Sequence, residues 1–282
     1  MRLLLLGLAL AIAWAAAMAQ PGVTAGPSRS SSSAVHTTTV WAVGDSAAPG
    51  DGPRRVAGLI RAGHPDRFLY LGDVYENGAA DDFSHHYAPL YGPLARRTRP
   101  TPGNHDWPLA HSGYFPYWRA ALGHRLPRYY SFRAGGWRFL SLNSELQGAA
   151  FRRQVRWVRR RLRSGGNCRI AFWHRPRFSA GKHGDAPDLQ PLWRAVRGRV
   201  RLVLNGHDHD LQRLRRLHGT TILVAGAGGH SRYALHRDYP RLVWGSDSVD
   251  GALRLRLRPG RLRFAFISVD GRILDRGRAR CR

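Results

Sequence analysis

A chain of 282 residues that is 43% hydrophobic and carries nine tryptophans has apolar mass for one large folded domain or two small ones, which excludes a disordered chain. Its formal net charge of +27 rests almost wholly on arginine, since Lys182 is the only lysine. The arginines run the length of the chain without the aromatic interleaving of a nucleic-acid groove. A general preference for arginine codons therefore accounts for them better than a selected polyanion surface, although some attraction to phosphate-rich ligands or anionic envelopes follows either way.

Met1-Arg2, the apolar run Leu3 to Ala19 and the pattern Ala17-Met18-Ala19 read as a secretory signal, residues 1–19, cut before Gln20. The competing reading is an uncleaved anchor, for which the run is short. No later stretch is apolar enough for membrane insertion, so the expected destination is secreted or periplasmic. Residues 20–36, rich in Pro, Gly, Ser and Thr without an apolar period, read as a flexible leader. Residues 37–282 show no repeat and no linker and read as one catalytic domain.

Thr37 to Val43 is β-branched and ends in Gly44-Asp45. Asp51 to Ala62 carries Val56, Leu59 and Ile60 at helical spacing, and the run into Leu69-Tyr70-Leu71 ends in Gly72-Asp73. Strand, helix and strand make a βαβ unit, so the fold class is α/β with a sheet that is at least partly parallel. Ala79 to Arg97 reads as one helix with Phe83, Tyr87, Leu90 and Leu94 on its buried face. Asp81-Asp82 then serve the helix dipole, and His85 and His86 are solvated. Tyr114 to Leu122 packs over the site or the core. A hairpin turns at Ala134-Gly135-Gly136, Phe151 to Leu162 is an amphipathic helix, and Arg169 to His174 is a strand. A helix at Leu189 to Val196 and strands at Val200 to Leu204 and Thr220 to Val224 follow. The chain closes with an alternating hairpin, Ala252 to Leu257 and Leu262 to Ile267, with arginine on its wet face. Cys168 and Cys281 are too few for a disulfide framework; they either pair, tying the tail to the strand that carries His174, or stay as separate thiols.

Five segments end in the same chemistry: Gly44-Asp45, Gly72-Asp73, Gly103-Asn104-His105-Asp106, His174, and Gly206-His207-Asp208-His209. An apolar strand that stops at glycine and a polar residue delivers that side chain to a sheet edge, where α/β folds keep their sites. Hydrolysis of a phosphate ester needs charge neutralisation on the phosphoryl oxygens and a hydroxide at neutral pH, and two metals about 3.5 to 4 Å apart supply both. Asp73 suits a bridging carboxylate. Asp45, Asn104, His174, His207 and His209 suit Fe, Mn or Zn better than Ca or Mg alone.

In their order along the chain these five blocks resemble the calcineurin-like metallophosphoesterase superfamily, and within it the purple acid phosphatase branch. The resemblance implies two mixed β-sheets packed face to face and flanked by helices, with a dimetal site, Fe with Fe, Zn or Mn, at the strand ends. It implies one metal held by Asp45, Asp73, Tyr75 and His209, and a second by Asp73, Asn104, His174 and His207. Ala47 stands where most of the superfamily has a histidine, as in the purple enzymes, which use a tyrosine instead. Tyr75 lies two residues after Asp73 rather than three, where Glu76 stands. By resemblance His105 faces the phosphate, and His183 matches a proton donor of some members, against a glycine-loop residue with no role. Asp106 and Asp208 orient neighbouring ligands rather than act as bases. His230 follows a glycine run and could reach the site, but no role is assigned to it. His64, His111, His124 and His218 read as surface residues, and Gly226, Gly228 and Gly229 lack the strand-to-helix context of a nucleotide cradle.

The expected activity is phosphate monoester hydrolysis of the acid phosphatase type. Its rivals are a phosphodiesterase or nucleotide pyrophosphatase on the same fold and a non-catalytic cationic protein that binds polyanions.

Overall fold

The computed structural model describes residues 36–281. The signal-like run 1–19 and the leader up to residue 35 fall outside them. Strands come in chain order as β1 (Thr38–Val43), β2 (Arg67–Tyr70) and β3 (Thr98–Pro100), then β4 (Tyr130–Ala134), β5 (Trp137–Ser141), β6 (Arg169–Phe172) and β7 (Leu202–Asn205). They continue as β8 (Leu211–Leu214), β9 (Thr221–Ala225) and β10 (Leu242–Ser246), and end with β11 (Gly251–Arg258), β12 (Arg261–Ser268) and β13 (Ile273–Arg280).

They form two mixed sheets, ordered β13-β12-β11-β1-β2-β3 and β10-β8-β9-β7-β6-β5-β4. β1, β2 and β3 run parallel, as do β5, β6, β7 and β9, while the remaining pairs are antiparallel. The helix Asp51–Ala62 makes the crossover from β1 to β2, as the βαβ reading expects.

The period-two alternation of a strand decides which core each residue joins. Val40 and Ala42 point between the sheets, where they meet Leu69, Leu71, Phe139, Phe172, Leu204 and Leu223. Trp41 and Val43 point the other way, onto Val56 and Ile60 of the crossover helix and towards Tyr114 and Trp118 of helix Tyr114–Leu122. The second sheet does the same with Ala171, Trp173 and Val203, which pack on Val158 of helix Gly148–Arg161 and Leu192 of helix Gln190–Val196. The result is four layers, helix on sheet on sheet on helix, with strands apolar on both faces where helices cover them.

Three expectations need correction. The segment 79–97 is not one helix: a short α turn passes into a π-helical stretch, Phe83–Tyr87, then an α turn, Ala88–Tyr91, and a 3₁₀ turn, Gly92–Arg97. The wider π turn delays the helical phase, so Tyr91 joins Phe83, Tyr87 and Leu94 as a buried side chain, and Leu90 is only partly covered. Asp82 does serve the start of this segment, accepting from the backbone N–H of Asn77 and Ala79 at 3.1 Å each. Second, β8, β10 and β13 were not anticipated. Third, His86 is half-buried, with Nδ1 2.6 Å from the Tyr75 carbonyl, whereas His85 is exposed as expected. Cys168 and Cys281 form a disulfide across 113 residues, tying the end of β13 to the start of β6.

Candidate metal centre

Loops leaving the carboxyl ends of β1, β2, β3, β6 and β7 converge on one spot. Asp45, Asp73 and His207 occupy the left-handed region there, with φ of 58°, 66° and 74°, a conformation costly for residues with a Cβ. The cost is borne because neighbours overdetermine the backbone. Asp45 N–H donates to the Gly72 carbonyl at 3.0 Å, and His207 N–H donates to Asp45 Oδ2 at 2.8 Å. Asp106 accepts from the N–H groups of Asp73, Gly103 and Val74 at 2.9, 2.8 and 3.0 Å, so one buried carboxylate shapes the loops after β2 and β3 together. Burial and the Asp73 charge push the Asp106 carboxyl up, against those three donors. The loops can approach this closely because Gly103 has no Cβ: one would lie 2.0 Å from Asp73 Oδ1.

At the centre, one donor atom each from Asp73, His174 and His207 lies within 4.8 Å of the others, a spacing that one cation can span. His174 Nε2 is 3.1 Å from Asp73 Oδ2 and 3.0 Å from Asn104 Oδ1. On the other side of Asp73, Tyr75 Oη is 3.0 Å from Asp45 Oδ1, 3.4 Å from Asp73 Oδ2 and 2.8 Å from His209 Nε2. The donors thus fall into two groups that share Asp73. The structure brings all seven expected ligands together, including Tyr75 despite its shifted position in the sequence. Ala47 is fully buried and its carbonyl accepts from Tyr75 N–H at 2.8 Å.

The electrostatics suit a cation. Burial opposes a charge on His174, yet Asp73 and Asp45 raise it to about 10; burial opposes a charge on Asp73, yet His174 brings it down to about 2. His207 is pushed down to about 2 by burial and by His174 and His183, leaving a neutral imidazole. In the chain alone, a proton on His174 offsets the carboxylates, and a metal would replace it. Nδ1–H of His174 donates to the Leu71 carbonyl at 2.8 Å, which directs Nε2 into the cluster, and His209 Nδ1 pairs with Ser231 Oγ at 2.6 Å.

Two further histidines border the cluster. His105 N–H donates to Asp73 Oδ1 at 2.9 Å and its Nδ1 lies against the Glu76 carbonyl. His183 is held to Asp208 Oδ1 through both its N–H (2.9 Å) and Nδ1 (3.0 Å), and its ring stacks on His207 with centroids 4.1 Å apart. Burial raises the Asp208 carboxyl, but His183 and Ser179 bring it below its ordinary value. Asp106 and Asp208 therefore orient their neighbours.

Sequence reasoning left the loop after β9 without assigned roles, although His230 was placed within reach of the site. His230 stacks on Tyr75 at 3.9 Å with Nε2 3.9 Å from Glu76 Oε1, and Tyr233 stacks on His209 at 4.1 Å. The available signal was the glycine run itself: a Cβ on Gly226 would lie 2.1 Å from the Asp208 carbonyl oxygen and 2.9 Å from Asp45 Oδ2. Those glycines serve close packing, for which no helix need follow.

Two mixed β-sheets flanked by helices have the architecture of a metallophosphoesterase. The sequence profile of the calcineurin-like phosphoesterase family matches residues 38–211, and the chain belongs to that family. Among curated proteins, tartrate-resistant acid phosphatase type 5 from rabbit (Oryctolagus cuniculus) is 29% identical over 140 residues, 45% of this chain and 42% of that protein. The mouse (Mus musculus) protein is 29% identical over 136 residues, 44% of this chain and 41% of its own length. The match thus spans about two-fifths of these relatives. Among solved structures, a purple acid phosphatase from yellow lupin (Lupinus luteus) seeds superposes with a TM-score of 0.74 at 16% identity, covering 88% of this chain and 54% of that one. GAP50, described as the anchor in the inner membrane complex of Plasmodium, gives 0.73 at 14% identity, covering 87% and 89%. A dimetal phosphatase from Danio rerio gives 0.61 at 13%, covering 86% and 98%.

Proposed function

We propose that the chain is an exported dimetal phosphate monoester hydrolase of the acid phosphatase type. Asp45, Asp73, Tyr75 and His209 would hold one ion and Asp73, Asn104, His174 and His207 the other, with Fe paired with Fe, Zn or Mn. The observation that carries this is the buried donor cluster divided about Asp73. When bound, the ions supply charge neutralisation at the phosphoryl oxygens and a nucleophile at neutral pH.

The chain's own residues supply the rest. His105, fixed through Nδ1, has Nε2 available to donate to a phosphoryl oxygen. His183, oriented by Asp208, keeps Nε2 available to protonate the leaving alkoxide, a step worth roughly 10²- to 10⁴-fold when the acid is positioned. The disulfide supports an oxidising compartment, and among the described residues no helix is long and apolar enough to cross a membrane. Turnover of a monoester should exceed that of a diester. Asp73→Asn and His207→Ala should remain folded by circular dichroism and lose hydrolysis; full activity in either variant removes the assignment.

A further inference from the structure

We infer that the outer face of β11, β12 and β13 is a docking surface for an anionic phospholipid bilayer. Its residues pair across the strands in register: Arg258 opposite Arg261 opposite Arg280, Arg256 opposite Arg263 opposite Arg278, and Arg254 opposite Ala265 opposite Arg276. These eight arginines share one face, and all but the half-buried Arg254 are exposed.

Strand neighbours lie about 4.8 Å apart and same-face residues about 6.8 Å apart along a strand, so the guanidinium groups form a dense, shallow grid. Like charges directly opposite one another destabilise a sheet. None of the eight makes an ion pair with an acid among the described residues: Arg258 bonds Thr37 Oγ1 at 2.7 Å and Arg254 lies over the Trp41 ring at 5.8 Å. The nearby acids are engaged elsewhere, Asp275 by Arg213 and Asp270 by Arg272. Residues 1–35 contain no Asp or Glu, so they bring no counter-charge.

A general taste for arginine explains the number of these residues but not their stacking in register without acids. An extended plane of anionic headgroups complements the grid. Single-stranded nucleic acid fits it less well, because the ring nearest the grid, Trp41 of β1, is buried beneath Arg254 and offers no stacking platform. The patch lies beside the start of β1, where Thr38 pairs with Leu257, whereas Asp45 lies beyond the opposite end of that strand, so docking leaves the metal centre open.

The test is co-sedimentation of the full chain with vesicles of phosphatidylcholine alone or with 30% phosphatidylglycerol. Three proteins are compared: the parent, R256T/R258T/R263T/R278T, and a control with equal charge loss on the exposed face of helix Gly148–Arg161, R152Q/R153Q/R156Q/R160Q. Each arginine at an anionic surface contributes about fivefold, so the sheet variant should bind anionic vesicles several hundredfold more weakly at low salt, while the control stays close to the parent. Neutral vesicles measure what the apolar run of residues 3–19 contributes in all three. Equal losses in the two variants, which would mean that net charge alone matters, overturn the inference. So does face-dependent binding to duplex DNA without binding to vesicles. Soluble-ester turnover should match in all three proteins, which keeps failure here distinct from failure of the catalytic reading.

Discussion

The two ends of β1 differ in how they manage charge. Beyond Val43 the chain enters a left-handed turn at Asp45, and buried carboxylates and imidazoles crowd together while hydrogen bonds such as that from His207 N–H to Asp45 hold the loops. Around Thr38, β11, β12 and β13 keep an unbroken register up to Phe266, β11 and β12 turn tightly at Pro259-Gly260, and the charge is arginine fanned into solvent. Among the described residues, three of the five non-glycine positions with positive φ, Asp45, Asp73 and His207, lie where ions would bind, whereas β11 to β13 hold none and are electrostatically one-sided. Chemistry in this fold is therefore sensitive to single atoms at one end and tolerant at the other.

Substitutions at the two ends should separate accordingly. Asp73→Asn removes the carboxylate shared by both donor groups and should lower kcat/KM on the order of a thousandfold or more, as steady-state kinetics would read. His183→Ala should cost roughly a hundredfold or more, in kcat rather than KM, and Asp208→Asn should reproduce part of that loss by releasing the ring. Asp106→Asn disturbs the loops without touching an ion and should weaken metal retention about 10- to 100-fold. At the other end, C168S/C281S should lower stability by about 2–4 kcal/mol in denaturant titration with kcat unchanged. A comparable loss of turnover would show that the two ends are coupled.

Metal uptake should depend on pH in a defined direction. His174 keeps its extra proton up to about pH 10 in the chain alone, because Asp73 and Asp45 outweigh its burial. Burial and Asp45 likewise keep the Tyr75 hydroxyl protonated, so loading both ions at pH 7 should release a proton from each of His174 and Tyr75, and affinity should fall as pH falls. Calorimetry in buffers of different ionisation enthalpy reads the proton count; a count of zero would mean that His174 is not a ligand.

Much of this organisation was legible in the residues. A buried strand that stops at glycine and aspartate leaves few places for the carboxylate, so Asp45 and Asp73 could be set at a sheet edge from local pattern alone. The hairpin of β11 and β12 was legible because strict alternation has one structural meaning. β13 was not: Ile273–Arg280 is an edge strand with mostly exposed residues, specified by its partner more than by its own pattern. The π stretch at Phe83–Tyr87 escaped because helical periodicity assumes 3.6 residues per turn throughout. His230 could be placed near the site but given no role, and Tyr233 escaped, because a loop carries no period and only the packing of Gly226 against Asp208 reveals where it goes.

The central claim is that seven side chains cage two ions around Asp73. Elemental analysis of the purified protein, read beside its visible spectrum, tests it most directly. Two ions per chain, iron among them, with a tyrosinate-to-iron absorption lost in Tyr75→Phe, is the expected result. Full phosphatase activity in protein freed of metal, or an undiminished metal content in Asp73→Asn, would contradict it.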